Sequence, residues 1–309
     1  MSSVATPAPV PRRGRRRTKL QRRQTRLAWL LLLPALAVVA FVAIYPLGKT
    51  VYQSFTNQEF LAGLTPTKWV GFSNYHALIH DTIFRDTVVL TIKFTAITVS
   101  FEFLLGLIVA LVVNSKFRGR GMMRAVMLVP WAIPTVVAAK MWQWMLDDTT
   151  GVINDLGIRL HLISHSHAWI ADPSTRLAAV SAVDIWKTTP FVALLLLAGL
   201  QVIPNDLYEA AAVDGANKLQ QFWRITLPLL RPAILVVLIF RTLDAHRVFD
   251  VFQVLLGYRL GAQTMAVYDQ STITQDGHVG YGAALSVAIF LIISLFVVIY
   301  VTFVRVTEE

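Results

Sequence analysis

The chain has 309 residues, of which 55% are hydrophobic and only 15% are charged, and it contains no cysteine. A soluble domain would carry about a quarter charged residues, so the composition argues against a soluble protein, and the lack of cysteine excludes disulfides and thiolate metal sites. The formal net charge of +10 could suggest nucleic-acid binding, but nine of the 28 Lys and Arg residues lie in the first 26 positions, directly before an apolar segment.

The first 26 residues combine Pro, Ser, Gly and Arg with almost nothing to bury. We expect them to form a disordered basic tail in the cytoplasm, next to a membrane helix, and not a nucleic-acid-binding arm. The apolar segment that follows, residues 27–44, is long for the apolar region of a cleaved signal peptide, which spans about 7–15 residues. We therefore interpret it as an uncleaved first membrane helix.

Six apolar runs are each long enough to cross a bilayer core of roughly 30 Å. The predicted helices cover residues 27–47, 87–113, 122–146, 177–201, 232–254 and 281–304. Pro130 and Pro134 are expected to kink the third helix, and Pro232 suits the first turn of the fifth. The sequence thus predicts an all-α integral membrane protein in which residues 27–309 form one transmembrane domain.

The orientation of the chain follows from its basic loops. The short loop 114–124 carries Lys116, Arg118, Arg120 and Arg124. The positive-inside rule then places both termini, this loop and the loop after the fourth helix in the cytoplasm. Segments 48–86, 147–176 and 255–280 are expected to face outward, which describes a multi-pass protein of the cytoplasmic (inner) membrane.

Residues 204–231 are too polar to cross a membrane, but they are patterned like two short helices. Asp206 and Glu209 can act as a capping pair at a helix start. Asp214-Gly215 can end that helix, since glycine accepts the left-handed conformation, and Asn217 can cap a second one. On pattern alone, this helix–turn–helix either fills a groove of a partner or is an ordinary amphipathic loop at the membrane surface.

The same segment resembles the signature of the membrane subunits of binding-protein-dependent ABC importers, which is EAA, three residues, Gly, and then I-x-L-P. Here the matching residues are Glu209-Ala210-Ala211, Gly215 and Ile225-Thr226-Leu227-Pro228. The resemblance implies the ABC type I importer permease fold, with six transmembrane helices and a cytoplasmic coupling helix–turn–helix that docks into an ATPase subunit. The residues that it assigns to this coupling are Glu209, Ala210, Ala211, Asp214, Gly215, Ala216, Phe222, Ile225 and Pro228.

The resemblance extends over nearly the whole chain. Residues 70–75 and 151–154 are similar to outward segments of the family, and residues 186–190 and 240–244 look most like its carbohydrate branch, near the maltose and trehalose permeases. It implies transport of a sugar, with a disaccharide such as trehalose or maltose as the leading candidate. Another solute, such as glycerol phosphate or a polyamine, is the alternative within the family.

Ionisable side chains inside membrane helices usually face a protein interior or a cavity, because each costs roughly 2.5–3.5 kcal/mol in lipid. The predicted spans carry seven polar candidates for a substrate pathway: Asp244, Arg247, Asp250, Arg241, Asp184, Thr188 and Glu102. They can offer hydrogen bonds to sugar hydroxyl groups. They can equally form a structural ion-pair network that holds helices together.

Energy for transport must come from another chain, because the sequence has no GxxxxGK[ST] phosphate loop. The resemblance implies an ATPase dimer that uses ATP and Mg²⁺, a second permease subunit and an extracytoplasmic solute-binding protein. An ion-coupled carrier would explain the intramembrane carboxylates but not the 204–231 segment. No metal is expected at His161, His165 and His167, which lack a clear fourth ligand.

Overall fold

The computed structural model describes residues 19–60, 66–115 and 117–306. It divides into two units, residues 1–52 and 53–309. The described part of the first unit is a single helical run with a predominantly apolar surface. It consists of α1 (Lys19–Val39), a π-helical turn (Ala40–Ile44) and α2 (Tyr45–Gln53).

The first helical run is longer than predicted. Helix α1 begins at Lys19, so residues 19–26, which we expected to be disordered, are helical. Lys, Arg, Gln and Leu are good helix formers, and they continue the hydrogen-bond ladder of the apolar segment. Residues 1–18 of the predicted tail lie outside the described part of the chain.

The second unit opens with a short helix α3 (Ser73–His80), followed by the long apolar helix α4 (Thr82–Asn114). Asp81 between them caps α4, since its side chain accepts hydrogen bonds from the backbone N–H groups of Ile83 (2.8 Å) and Phe84 (3.1 Å). This cap lets the helix start before residue 87, where apolarity alone had placed its beginning.

The third predicted span is broken and not merely kinked. It consists of α5 (Arg120–Met127), α6 (Val129–Ala132) and α7 (Thr135–Met145), with an 89° bend between α6 and α7. Ile133 takes an extended conformation immediately before Pro134, as the proline ring requires of its predecessor. The described residues therefore contain five helices able to span a membrane, or six if this bent pair is one span.

Of the next two helices, only the second was predicted. Helix α8 (Val152–Arg159) is short and follows α7 on the side predicted to face outward. Helix α9 (Arg176–Val202) matches the predicted fourth span to within one residue at each end. Pro190 lies inside α9 without ending it.

The fifth predicted span is displaced and divided. The helical run passes through α10 (Asn205–Val213), a turn, α11 (Lys218–Gln221), a π-helical turn (Phe222–Thr226), α12 (Leu227–His246) and α13 (Asp250–Leu256). Pro228, and not Pro232, occupies the first turn of α12. The helix stops at His246, and the backbone carbonyl of Val248 accepts its hydrogen bond from the Thr264 side chain (2.8 Å) instead of from a continuing helix.

Two further helices complete the chain, α14 (Met265–Thr274) and α15 (Val279–Val306). The second matches the sixth predicted span and extends it by two residues at each end. Among the described residues the β-structure is limited to one isolated bridge, between Thr56 and Trp69.

The core of the second unit is organised around α4 and α9. A side chain at Gly106 of α4 would meet Val192 of α9 at 2.5 Å, so the missing side chain permits close helix approach. About three turns nearer the start of α4, Phe94 packs edge-to-face on Phe252 of α13, with ring centroids 5.0 Å apart. This packing brings the polar residues of α4, α9 and α12 to one place.

Candidate translocation site and coupling segment

The buried centre of the site is an ion pair between α12 and α4. The Arg241 guanidinium donates to the Glu102 carboxylate through Nε (2.6 Å) and Nη2 (2.9 Å). The two side chains are 4% and 0% exposed. Such a two-pronged pair is the strongest geometry available to arginine and carboxylate, and it compensates the cost of burying both charges.

A third helix joins this pair through Asp184 of α9. Its carboxylate accepts from Arg241 Nη2 at 3.2 Å. One turn further along α9, the Thr188 hydroxyl is positioned to donate either to the Glu102 carboxylate or to the backbone carbonyl of Asp184. A single guanidinium therefore ties together α4, α9 and α12.

The cluster becomes solvent-accessible at the end of α12. Asp244 accepts from Arg241 Nη1 at 3.3 Å and from Arg247 Nη2 at 3.4 Å. The side chains of Asp244 and Arg247 are 55% and 67% exposed, in contrast to the buried pair. The charged side chains of the cluster thus range from fully buried to solvent-exposed.

This open surface belongs to a cavity of about 430 Å³ that collects most of the predicted pathway residues. Its charged lining residues are Asp184, Lys187, Arg241, Asp244, Arg247 and Asp250. Thr135 and Thr188 add hydroxyl groups. The lining therefore holds three basic and three acidic side chains, which gives it a formal charge of zero. Glu102 is the one predicted pathway residue outside the lining, since it lies fully buried against Arg241.

Two charged groups of the lining have no ion-pair partner. Among the described residues, neither Lys187 nor Asp250 forms an ion pair within 4.0 Å. The Lys187 ammonium donates only a long hydrogen bond, of 3.4 Å, to the backbone carbonyl of Trp131. These groups keep hydrogen-bonding capacity that a bound molecule can use.

An aromatic pair forms part of the same cavity. Trp131 of α6 and Phe191 of α9 stack with ring centroids 5.7 Å apart and an interplanar angle of 13°. Sequence reasoning missed Trp131, Phe191 and Thr135 as lining residues. The sequence does contain a signal for two of them, since Pro130 and Pro134 directly precede Trp131 and Thr135. Two prolines so close together indicate a broken helix, and residues at such a break can contact a neighbouring helix.

The 204–231 segment folds as a helix–turn–helix, as its pattern predicts. Gly215 has φ +83°, the left-handed conformation that ends α10. The backbone N–H of Gly215 donates to the carbonyl of Ala212 (3.1 Å), and that of Ala216 donates to the carbonyl of Ala211 (2.8 Å). These two hydrogen bonds form a Schellman motif. Asn217 and Gln220 form a capping box at the start of α11.

One predicted cap in this segment is wrong. Pro204, which has no side-chain acceptor, occupies the N-cap of α10, so Asp206 and Glu209 lie inside the helix instead of closing its start. Buried Gln221 links the two helices, since its side-chain amide donates to the backbone carbonyls of Tyr208 (3.4 Å) and Ala216 (3.2 Å).

The predicted coupling residues divide between an exposed and an inward face. Glu209, Ala210, Asp214 and Gly215 are exposed. The remaining five are half-buried: Ala211, Ala216, Phe222, Ile225 and Pro228. Phe222 and Ile225 pack on the inner core cluster of the bundle. The most exposed large apolar side chains of the segment are instead Val213 (88%), Leu219 (67%) and Trp223 (59%).

The described residues contain no group of three or more histidine or acidic side chains that is placed to hold a metal ion. Of the three loop histidines, His167 contacts Thr175 and Asp172, at 3.0 and 3.4 Å.

Comparison with known proteins identifies the family. Residues 102–308 match the family described as "Binding-protein-dependent transport system inner membrane component". The chain is 39% identical over 285 residues to the trehalose/maltose transport system permease protein of Thermococcus litoralis, covering 92% of this chain and 95% of that protein. It is 40% identical over 281 residues to the sulfoquinovosyl glycerol transport system permease protein of Agrobacterium fabrum, covering 90% of each.

A solved structure shares the fold. A chain of a bacterial ABC transporter involved in the import of the acidic polysaccharide alginate superposes with a TM-score of 0.81. The match covers 94% of this chain and all of that one, at 23% sequence identity.

Proposed function

The chain belongs to the family of inner membrane components of binding-protein-dependent transport systems, and we propose that it lines the translocation pathway of an ATP-driven sugar importer. Members of this family are the permease subunits of ABC transporters, and the helices of this chain have their fold. The observation that carries the proposal is the charge-balanced, aromatic-bearing cavity in the membrane-spanning bundle.

The cavity suits an uncharged molecule rich in hydroxyl groups. Its volume of about 430 Å³ lies within the range of about 300–1,000 Å³ typical of ligand sites. Lys187 supplies hydrogen-bond donors, Asp250 supplies acceptors, and the Trp131–Phe191 pair supplies an apolar face for a sugar ring. A neutral disaccharide such as trehalose or maltose is the proposed substrate, in line with the name of the Thermococcus relative.

An anionic solute is the second candidate, and the Agrobacterium relative motivates it. The name of that protein refers to a sulfonated glycoside, and glycerol phosphate would pose the same electrostatic demand. An anion needs excess positive charge at its site. Here Arg241 is already shared by three carboxylates and Arg247 pairs with Asp244, which leaves Lys187 opposite Asp250. This balance favours the neutral sugar.

The proposed coupling runs through the 204–231 segment. In this proposal the segment lies in the cytoplasm, as do both termini, and its exposed face docks on an ATP-binding subunit of a dimer that uses ATP and Mg²⁺. The single turn at Gly215 and the Gln221 hydrogen bonds make the two short helices one stiff unit. A force on α10 is therefore transmitted through α11 into α12, which carries Arg241 and Asp244.

The remaining partners complete the pathway. A second permease subunit closes the cavity from its open side, and an extracytoplasmic solute-binding protein delivers the sugar. Membrane lipid surrounds the transmembrane helices.

Reconstitution tests the proposal. The chain is purified with its ATPase and second permease, placed in proteoliposomes with the binding protein, and assayed for uptake of labelled trehalose, maltose, sulfoquinovosyl glycerol and glycerol phosphate. We expect uptake of a neutral disaccharide that requires ATP and is abolished when the phosphate-loop lysine of the ATPase is replaced. Uptake that persists on a proton gradient without ATP would instead establish an ion-coupled carrier, and uptake restricted to the anions would refute the neutral substrate.

A further inference from the structure

A group of aromatic rings lies at the end of α4 that is predicted to face outward. Phe55 is its centre: the ring centroids of Trp69, Phe72 and Tyr75 lie 5.1, 5.3 and 5.4 Å from that of Phe55. Helix α3 supplies Tyr75, and Phe72 occupies the N-cap position of that helix. This group has no part in the cavity or in the 204–231 segment.

Hydrogen bonds hold the aromatic group rigidly. The Tyr75 hydroxyl pairs with the Ser54 hydroxyl at 2.6 Å. The Asn74 side-chain amide donates to the backbone carbonyls of Ser54 (2.8 Å) and Thr56 (2.9 Å). The bridge between Thr56 and Trp69 adds a backbone connection. The exposed rings are therefore presented by a fixed support.

Helix α3 divides its circumference into three sectors. Leu78 faces the protein and is buried. Phe72 and Ile79, which are 74% and 80% exposed, are seven residues apart and so lie about 20° from each other around the axis. Ser73, His76 and His80 occupy the adjoining exposed sector. Helix α3 thus has two adjacent exposed edges, an apolar edge of Phe72 and Ile79 and a polar edge of Ser73, His76 and His80.

This arrangement fits the boundary between lipid tails and water. We propose that α3 is an interfacial anchor whose apolar edge, Phe72 and Ile79, inserts with Trp69 into the outward leaflet of the membrane. A helix in the headgroup region buries one edge in the acyl boundary and keeps its polar edge hydrated. Rings of Trp and Tyr are enriched at this depth.

Continuity with the membrane span identifies lipid as the occupant. Only Asp81 separates α3 from α4, and Ile83 in the first turn of α4 is itself 40% exposed. Exposed apolar side chains thus occur on both sides of Asp81, in α3 and at the start of a spanning helix. A protein partner covering α3 would have to bury His76 and His80 together with Phe72 and Ile79.

Spin labelling tests the proposal directly, because the natural chain has no cysteine. Single variants Phe72→Cys and Ile79→Cys, with Ser73→Cys and His76→Cys as matched controls from the polar edge, are labelled in the complete transporter complex in phospholipid nanodiscs. We expect the ratio of oxygen to nickel-chelate accessibility to be several-fold higher at positions 72 and 79 than at positions 73 and 76. Adding the binding protein should leave this difference unchanged.

Two results would overturn the proposal. Equal nickel accessibility at all four positions would mean that the edge faces water. Low accessibility to both reagents at positions 72 and 79, with an immobilised spectrum, would mean that a protein partner covers it. Because Ile79 is 80% exposed, Ile79→Cys keeps the test valid if Phe72→Cys perturbs folding.

Discussion

Arg241 and Glu102 are 139 positions apart in the sequence, and they meet through hydrogen bonds of 2.6 and 2.9 Å in the buried centre of the bundle. The pair fixes the register between α12 and α4, and Asp184 of α9 shares the same guanidinium. Since a lone buried charge is costly, the three helices can separate only if this cluster is hydrated or re-paired. We therefore propose that the two interpretations offered by the sequence apply to different members of one cluster: Glu102 is structural, and exposed cavity-lining groups such as Asp244 and Asp250 are available to substrate.

Replacing Glu102 should destabilise the complex strongly. Glu102→Gln removes the charge opposite Arg241 while keeping the volume, and losing one partner of a buried pair costs about 3–5 kcal/mol. The apparent unfolding temperature of the detergent-purified complex measures the effect. Asp244→Asn is the control: it alters a partner whose side chain is 55% exposed, so its cost should stay below about 1 kcal/mol. Equal melting of the two variants would contradict a structural role for Glu102.

Replacing the cavity carboxylates should impair uptake without disrupting assembly. Asp250→Asn removes a charged acceptor that forms no ion pair with any described residue. A hydrogen bond to a charged group contributes about 1.5–3 kcal/mol, or roughly tenfold or more in kcat/KM for uptake. Asp244→Asn should also reduce uptake and leave docking of the ATPase intact. In Asp155→Asn, which alters an exposed helix pair with Arg159, uptake should equal that of the natural chain. Normal transport by both cavity variants would remove these residues from the pathway.

The aromatic ring of Trp131 in the cavity lining should contribute to sugar binding. Trp131→Ala removes the stack on Phe191, and aromatic contacts of this kind contribute about 0.5–1.5 kcal/mol beyond area burial. We expect a rise in the KM for uptake of about twofold to tenfold, with most of the loss restored in Trp131→Phe. Uptake kinetics at varied concentrations of binding protein and sugar measure this KM. No difference between the Ala and Phe variants would exclude stacking.

The turn at Gly215 should be required for coupling. Gly215→Ala places a side chain at φ +83°, where no atom lies within 4 Å of the new Cβ, so the penalty is confined to the backbone and is about 1–2 kcal/mol. We expect weaker co-purification of the ATPase and lower substrate-stimulated ATP hydrolysis. Gly121→Ala serves as the control, since its Cβ is equally unobstructed and its φ is ordinary. Equal loss in both variants would show that the left-handed turn is not the cause.

Asp269 of α14 should make stability depend on pH. Burial raises its pKa to about 6, although a hydrogen bond from Ser286 (2.7 Å) lowers it. A folded-state pKa above the unfolded value of about 3.9 means that the folded protein binds the proton more tightly. The resulting stabilisation is complete at low pH and is lost as pH rises through about 6.

The unfolding temperatures of the natural chain and of Asp269→Asn, compared at pH 5 and pH 7, test this dependence. Relative to the natural chain, the variant should be more stable at pH 7 than at pH 5. A constant offset for Asp269→Asn at the two pH values would mean that Asp269 does not titrate in this range.

Sequence reasoning worked best where the signal is local. The length of an apolar run determines whether a helix can cross lipid, and α9 and α15 accordingly lie within two residues of their predicted ends. The turn at Gly215 and the cap at Asn217 were also predicted correctly, since both depend on residues a few positions apart. The break at Ile133 was underestimated because a proline indicates where a helix can bend and not by how much.

Short stretches of the sequence are sufficient to identify the class of protein and its resemblance to the importer family, because hydrophobicity, turn chemistry and the EAA pattern are all local. The pairing of the charges, by contrast, depends on the tertiary structure. Glu102 is the buried partner of Arg241, Lys187 and Asp250 have no ion-pair partner within the described part of the chain, and Trp131 lines the cavity. Each of these outcomes depends on contacts between helices that are distant in the chain. Charge pairing is decided by distances of a few ångströms, and those distances arise only when α4, α9 and α12 pack together.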